Sequence, residues 1–469
     1  MSLKKDLTFF DLTNIVVGSI VGADIYIASA LTAGLIGPFS IIVWLIAGMF
    51  ATTIALIFAY CSYYVPKVGG PFAFVSKAFD DFYGFLTGWS IWIAELLALP
   101  VFAIAFTKYM QYFITLNSLQ EIAVKGLFLF ALTLVNVVGV KAAGRVNDVL
   151  TLVKLSPLIL MIFGGIAFFA INPGMISKNY IPFLPLGLKN IGTAIVLVFW
   201  AYVGFEMGTL PASEVKNPKK TIPKAIITGM GIVMLFYLST NFVVYGTVNW
   251  RELTGSATPL LLVGSAIFGG LGAIIMGVGA LVSVAGSDEA GVLGTARLSY
   301  AMSIDGLFPK IFSRIHRRYG TPYMALILQG VIAFILSIFS GLSGLISFSV
   351  FNLSFAFLIA SLSLIVLKKE KEKKLHGQNV LPWLGVAISL YLIYSTSLFD
   401  KIAGLIVVLS GIPLYVFFSP KVDIYHMKKL FFSEEAVLMR RLERRERFLA
   451  NFIRLLHKLY GKIKFYRAK

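Results

Sequence analysis

The stretch Gly18-Ser19-Ile20-Val21-Gly22-Ala23-Asp24-Ile25-Tyr26 sits in the middle of an apolar run that begins near residue 10 and ends near residue 35. Two glycines and a carboxylate at that depth weaken a helix that the flanking residues favour. A second stretch has the same character. Trp200-Ala201-Tyr202-Val203-Gly204-Phe205-Glu206-Met207-Gly208 lies in an apolar run near 190–212, again with glycines beside a carboxylate. The first stretch interrupts the first apolar run of the chain and the second interrupts the sixth. Matched interruptions at that spacing fit two inverted repeats of five helices, in which the solute sits at broken helices in corresponding places. Half-helix ends there supply binding dipoles. Glycines in membrane helices also serve close packing. Either stretch alone is open to that plainer reading, and the matched pair less so.

Working outward, twelve apolar runs cover the chain from Phe9 to Phe418, near 10–35, 39–64, 83–113, 120–139, 147–171, 190–212, 225–248, 269–302, 322–340, 343–366, 380–398 and 402–419. Each approaches the roughly 20 residues that a bilayer-spanning helix needs. Hydrocarbon offers nothing to loose backbone groups, so runs of this length must be helical. The alternating segments of about 10 residues that mark a membrane β-barrel are missing. Of the 469 residues, 58% are apolar and 13% charged, about half the charged share of a soluble domain. The mean hydropathy of +0.86 agrees. The expected fold is an all-α polytopic membrane protein with twelve transmembrane helices and a five-plus-five repeat. Residues 1–420 form the membrane domain, with repeats near 10–171 and 190–366 and extra helices over 380–419. The first run starts too early and is too long for a cleaved signal peptide, and is expected to insert uncleaved.

Charge sets the expected orientation. Nineteen Lys and Arg fall at the N-terminus and in the connections after runs 2, 4, 6, 8 and 10, against six in the opposite connections. The positive-inside rule then puts both termini in the cytoplasm, in a multi-pass protein of the cell membrane. Residues 421–469 read as a separate basic tail. Ser433-Glu434-Glu435 starts a helix on which Leu438, Leu442, Leu449, Phe452, Leu456 and Leu459 share one face. Such a helix suits a membrane surface with anionic lipid, so the net charge of +19 needs no nucleic acid. The one cysteine, Cys61, excludes a disulfide framework, and His316, His376, His426 and His457 all lie in connections or the tail. An enzyme working at membrane depth would lack both His and a reactive thiol there. No enzyme activity, cofactor or metal is expected.

Several motifs, in order, resemble the amino acid–polyamine–organocation superfamily of transporters over roughly residues 8–420. They are Gly18 to Tyr26; Val65-Pro66-Lys67-Val68-Gly69-Gly70-Pro71; Asn136-Val137-Val138-Gly139-Val140-Lys141 with Gly144-Arg145, Asn147 and Lys154; Gly204-Phe205-Glu206 followed by Glu214-Val215-Lys216-Asn217-Pro218-Lys219-Lys220; and Arg297 through Asp305-Gly306-Leu307-Phe308-Pro309 to Tyr319-Gly320-Thr321-Pro322. The resemblance implies the inverted repeat called the LeuT fold, with helices 1 and 6 broken. It places a substrate at Ser19, Gly22, Ala23, Asp24 and Ile25 in helix 1 and at Trp200, Tyr202, Gly204 and Phe205 in helix 6.

Charges at membrane depth are few: Asp24, Glu95, Lys154, Glu206, Asp288 and Glu289. Each costs about 2.5–3.5 kcal/mol at a helix centre, so such groups line pathways or pair. Burial disfavours the charged form of a lysine. The resemblance gives Lys154 the place where sodium sits in sodium-coupled relatives, and so implies proton loading and release; the plainer role is a cation pinning helix 5 to a carboxylate. It gives Glu206 a part in proton-linked control. Asp24 departs from the family pattern, where a small residue leaves backbone N–H groups free for a substrate carboxylate. Asp24 then binds the ammonium of an amine, pairs with Lys154, or is protonated when an amino acid binds. Asp288 and Glu289 add acids in helix 8, and Glu95 in helix 3 either faces the pathway or partners Lys154.

The expected function is a secondary transporter of amino acids, cationic ones foremost, with protons as coupling ion, acting as a monomer or homodimer. A polyamine or amine exchanger, or a nutrient sensor of the same fold that does not transport, are the alternatives.

Overall fold

The computed structural model describes residues 7–66, 70–138, 143–209, 215–370 and 377–418. The expected basic tail lies outside them, as do Lys67-Val68-Gly69, Gly139-Val140-Lys141, Glu214 and the basic residues between 371 and 374.

Every named element among the described residues is helical. In chain order they are α1 (Phe9–Ile20), α2 (Ala23–Ile36), α3 (Ser40–Tyr64), α4 (Gly70–Ala78), α5 (Asp81–Met110), α6 (Ser118–Val138), α7 (Ala143–Ile171), α8 (Gly174–Tyr180), α9 (Ile191–Ala201), α10 (Pro218–Thr247), α11 (Trp250–Thr254), α12 (Pro259–Ile304), α13 (Tyr323–Phe339), α14 (Leu342–Leu367), α15 (Leu381–Ser395) and α16 (Leu398–Phe418). A tight 3₁₀ turn, Phe205–Thr209, continues the line begun by α9. Twelve crossings result. The first is α1 with α2, broken at Val21-Gly22, and the sixth is α9 with the turn, broken at Tyr202 to Gly204. The eighth is the part of α12 beyond a kink at Gly269, where the sequence reading began that run.

Local chemistry fixes the helix starts. Thr8 and Asp11 form a reciprocal capping box at the start of α1, and the Asp80 carboxylate accepts the Tyr83 N–H at the start of α5. Each satisfies a donor that the first turn leaves free.

The packing carries the inverted repeat. Adding five to each crossing number exchanges one set of helix contacts for another. Crossing 1 packs on 7 through α1 and α10, and crossing 6 packs on 2 through α9 and α3. Crossing 5 packs on 8 through α7 and α12, and crossing 10 packs on 3 through α14 and α5. Crossing 4 lies on 8 and crossing 9 on 3, while 2·7, 3·8 and 4·9 map onto themselves. The short helices obey the same rule: α4 touches the Phe205–Thr209 turn, and α11 touches α2. Five is odd, so the second repeat crosses the membrane in the opposite sense.

Burial follows from this arrangement. The central helix α5 is buried along most of its length, including its internal Pro100. By contrast α6, α13 and α16 expose Leu127, Phe130, Val331, Phe339 and Leu405 outward, as helices against lipid do. The two broken crossings lie against α5, α12 and α14 at the middle of the fold.

Candidate functional site

At the first break the chain turns extended at Val21 and restarts a helix after Gly22. The carbonyls at the end of α1 therefore have no helical donors. Side chains from three other helices supply them. Lys154 Nζ of α7 donates to the Gly18 carbonyl at 2.6 Å, the Tyr237 hydroxyl of α10 to the Ile20 carbonyl at 3.1 Å, and Ser287 Oγ of α12 to the Val21 carbonyl at 2.7 Å. Lys154 also donates to Ser287 Oγ at 3.1 Å, which ties the set together. An ammonium at a helix C-terminus meets the negative end of the helix dipole. Lys154 is 1% exposed, and among the described residues no carboxylate lies within 4 Å of it. The pairing of Lys154 with Asp24 or Glu95, left open by the sequence, is not the arrangement present. Asp24 and Glu289 act on it through space only.

Gly22 leaves little room at the break. A Cβ there would stand 2.7 Å from both Ser287 Cβ and Oγ and 2.9 Å from Asp24 Oδ1. Asp24 lies in the first turn of α2, at the positive end of that helix, and accepts a short hydrogen bond from the Tyr237 hydroxyl.

The second break satisfies itself. The N–H groups of Tyr202 and Val203 donate to the carbonyls of Phe199 and Trp200, and that of Met207 to Gly204. The Gly204 N–H donates to Glu206 Oε2 at 3.1 Å. Gly204 has φ +119, and a Cβ there would stand 2.9 Å from the Ser19 carbonyl oxygen. The two breaks thus cross backbone against backbone, which only glycine allows.

A cavity of about 50 Å³ lies at this crossing. Ser19, Ile20 and Asp24 line it from crossing 1, and Trp200, Val203, Gly204 and Met207 from crossing 6. Glu95, Ala98 and Phe102 of α5, Ser287 and Gly291 of α12, and Ser349 and Leu353 of α14 complete it. Among the described residues no Lys or Arg lines it. The space admits a few waters, well short of the 300–1,000 Å³ typical of a ligand pocket. A solute larger than a few waters enters only if the surrounding helices part.

Of the residues the sequence singled out, Ser19, Asp24, Glu95, Trp200 and Gly204 meet at the cavity. Gly22, Ala23 and Ile25 are buried beside it and do not line it. Tyr202 turns away, its hydroxyl donating to the Trp44 carbonyl at 3.1 Å, and Phe205 packs on Phe58 and Phe357. The cause is the tight turn after Ala201, whose three residues per turn rotate these side chains off the face that a continuous helix would present. Glu206 is buried. Asp288 is fully buried away from the cavity, with no partner for either oxygen among the described residues. Glu289 is half-buried, within reach of the charges of Lys154 and Arg297.

Sequence reasoning missed Ser287 and Tyr237. Ser287 adjoins the two acids in Gly286-Ser287-Asp288-Glu289, so the acids drew attention and the hydroxyl did not. Tyr237, in Met234-Leu235-Phe236-Tyr237, carries no local signal.

Residues 7–422 match the family described as amino acid permease. The chain belongs to the amino acid permease family. Among relatives, this permease is 27% identical to the branched-chain amino acid permease BcaP of Bacillus subtilis (strain 168), over 90% of this chain and 94% of that protein. It is 25% identical to the serine/threonine exchanger SteT of the same organism, over 88% and 96%. It is 26% identical to the cystine/glutamate transporter of Homo sapiens, over 89% and 86%. These relatives are membrane transporters, and the permease is a multi-pass protein of that family. Their names give branched-chain amino acids, serine and threonine, and cystine and glutamate in turn, so family membership alone fixes no substrate.

Proposed function

We propose that the permease is a secondary transporter of amino acids that prefers cationic ones, coupled to protons by alternating access. One observation carries this reading: Asp24 and Glu95 line the cavity and, among the described residues, no basic side chain does. An acidic, nearly dry cavity favours a cation, because a charge taken from water must find its opposite. Substrate binds between the breaks, and α5 and α12 complete the pocket. Trp200 closes over it.

Lys154 supplies the coupling. Charged, it holds the end of α1 to α7 and α12; neutral, it keeps only the weaker hydrogen bonds of an amine and loosens that half-helix. Protonation then biases the two access states, as a ligand does only through differential affinity. The excess of Lys and Arg in one set of connections supports a cell-membrane protein with both termini in the cytoplasm.

A second reading, an exchanger of amines without a carboxylate, draws on Asp24 itself. Its carboxylate occupies the helix N-terminus where a substrate carboxylate would otherwise sit. Counterflow in proteoliposomes decides between them. Preloaded lysine is expected to exchange with external lysine and arginine more than tenfold faster than with leucine or pentane-1,5-diamine. Diamine-only exchange establishes the amine reading, and saturable binding without any counterflow establishes a sensor. In the Asp24→Gly variant the preference is expected to move toward zwitterionic amino acids.

A further inference from the structure

A second cavity, of about 430 Å³, lies away from the two breaks, on the face opposite the basic connections. One side of it is α8, in the connection between crossings 5 and 6. The other is α11 with the first turns of α12, in the connection between crossings 7 and 8. Its volume falls in the range of ligand pockets, which the central cavity does not reach.

Floor and rim carry different groups. Asn179 and Thr247 line the cavity and are 3% and 4% exposed, so they form its floor. Lys178 and Glu252 line it and are exposed, so they form its rim. Among the described residues no ion pair within 4 Å joins Lys178 to Glu252, and neither charge has another partner. The floor is unsatisfied as well. Thr247 Oγ1 is buried with no partner, and a ligand group or a water relieves such a hydroxyl. Asn179 Nδ2 donates to the Gly246 carbonyl at 2.8 Å, while its Oδ1 accepts nothing among the described residues.

Both sides of the cavity are anchored. The Asn179 bond and that of the Tyr180 hydroxyl to the Phe242 carbonyl, at 3.2 Å, pin α8 to α10. Trp250 and Leu253 of α11 are buried, and α11 packs on α2. The Arg251 guanidinium lies over the Trp250 ring, 4.9 Å from its centroid, and leaves Glu252 without a cation. Unpaired groups on fixed backbone are what a preorganised polar site requires.

We propose that this cavity is a second binding site, for a free α-amino acid zwitterion, with Lys178 and the Thr247 hydroxyl on the carboxylate and Glu252 and Asn179 Oδ1 on the ammonium. The side chain falls to the apolar Met175 and Leu262, so the site reads the groups on the α-carbon and ignores side-chain charge. It shares no lining residue with the central cavity. An occupant bridges the connection that follows the Lys154 helix to the one that packs on the half-helix bearing Asp24. The inference rests on the amino-acid part of the reading above and not on its preference for cations. The headgroup of a zwitterionic phospholipid offers the same pair of charges, and competition separates the two sources.

Equilibrium binding of radiolabelled L-lysine to the full-length protein in detergent tests this. About two molecules per protein are expected. Excess pentane-1,5-diamine, which lacks a carboxylate, should displace one of them and L-leucine the other. N-acetyl-L-leucine and L-leucinamide each lack one of the two charges and should leave the second molecule in place. Lys178→Gln and, separately, Glu252→Gln are expected to weaken that molecule at least about tenfold and to spare the one that the diamine displaces. Thr247→Val should weaken it a few-fold. One lysine per protein, displaced by the diamine and indifferent to all three substitutions, overturns the second site and leaves the central reading standing. Two that persist in every variant place the second molecule elsewhere and overturn it too. Loss of the second molecule on adding phosphatidylethanolamine to the micelles gives the site to a lipid headgroup and overturns the amino acid. A single lysine that the diamine spares and the variants lose supports the second site while the central reading falls. If no amino acid binds, both fall together.

Discussion

The two breaks occupy equivalent places in the two repeats and are built on opposite principles. The break in crossing 1 borrows its hydrogen bonds. Three carbonyls, of Gly18, Ile20 and Val21, are held by side chains from α7, α10 and α12. The break in crossing 6 closes on its own chain, through tight turns and the Glu206 carboxylate two residues on. A self-contained break keeps its shape when its neighbours shift. A borrowed one reports every movement and every change of charge in the helices that hold it. The difference makes crossing 1 the responsive half of the site and crossing 6 the fixed half, with the meeting point at Gly204 against Ser19.

Removing the meeting point has the largest expected effect. Gly204→Ala places a methyl group against the backbone of Ser19, where nothing flexible can yield, at a φ that alanine rarely adopts. Backbone strain of about 1–3 kcal/mol adds to overpacking of about 1–3 kcal/mol. Folded protein recovered by size exclusion and its melting temperature should both fall sharply, and transport should be lost. Gly22→Ala sharpens the contrast. Its methyl meets side-chain atoms of Ser287 and Asp24 rather than backbone, and its φ is negative. A folded protein with impaired transport is expected there. Equal loss in the two variants would mean that the breaks are not built differently.

Next comes the borrowed cation. Lys154→Ala leaves the Gly18 carbonyl and Ser287 without their donor, and takes the positive charge from the end of α1. Uptake driven by an imposed pH gradient in proteoliposomes is expected to fall more than tenfold, while downhill exchange of one substrate for another persists. Undiminished gradient-driven accumulation would return Lys154 to a purely structural place.

This contrast also explains what was legible in the sequence. Both breaks could be read, because glycines beside a carboxylate within an apolar run are a local signal. So could the twelve crossings, down to the start of the eighth at Gly269. Lys154 stood out as the lone base at depth. The donors that hold the first break did not, apart from Lys154. Ser287 and Tyr237 reach their carbonyls across the fold, and a serine or tyrosine in a membrane helix has many uses. The inward aim expected of Tyr202 and Phe205 assumed a helix continuing past Ala201, and the turn there is tighter. Glu95 and Glu206 were each visible as buried acids.

The smallest effect tests the weakest of the borrowed bonds. In Tyr237→Phe the ring and its packing against Trp44 and Tyr202 are retained, and only the hydroxyl is lost. That hydroxyl is shared between the Ile20 carbonyl and the Asp24 carboxylate, and the carboxylate is the stronger acceptor. Losing a hydrogen bond to a charged group costs about 1.5–3 kcal/mol, partly offset here because Asp24 faces the cavity and can take a water. A modest drop in melting temperature is expected, together with a few-fold change in KM for lysine and little change for leucine. The asymmetry is the point of the measurement. If the hydroxyl serves only the backbone of crossing 1, both substrates lose equally. If it holds Asp24 for the substrate, lysine alone responds.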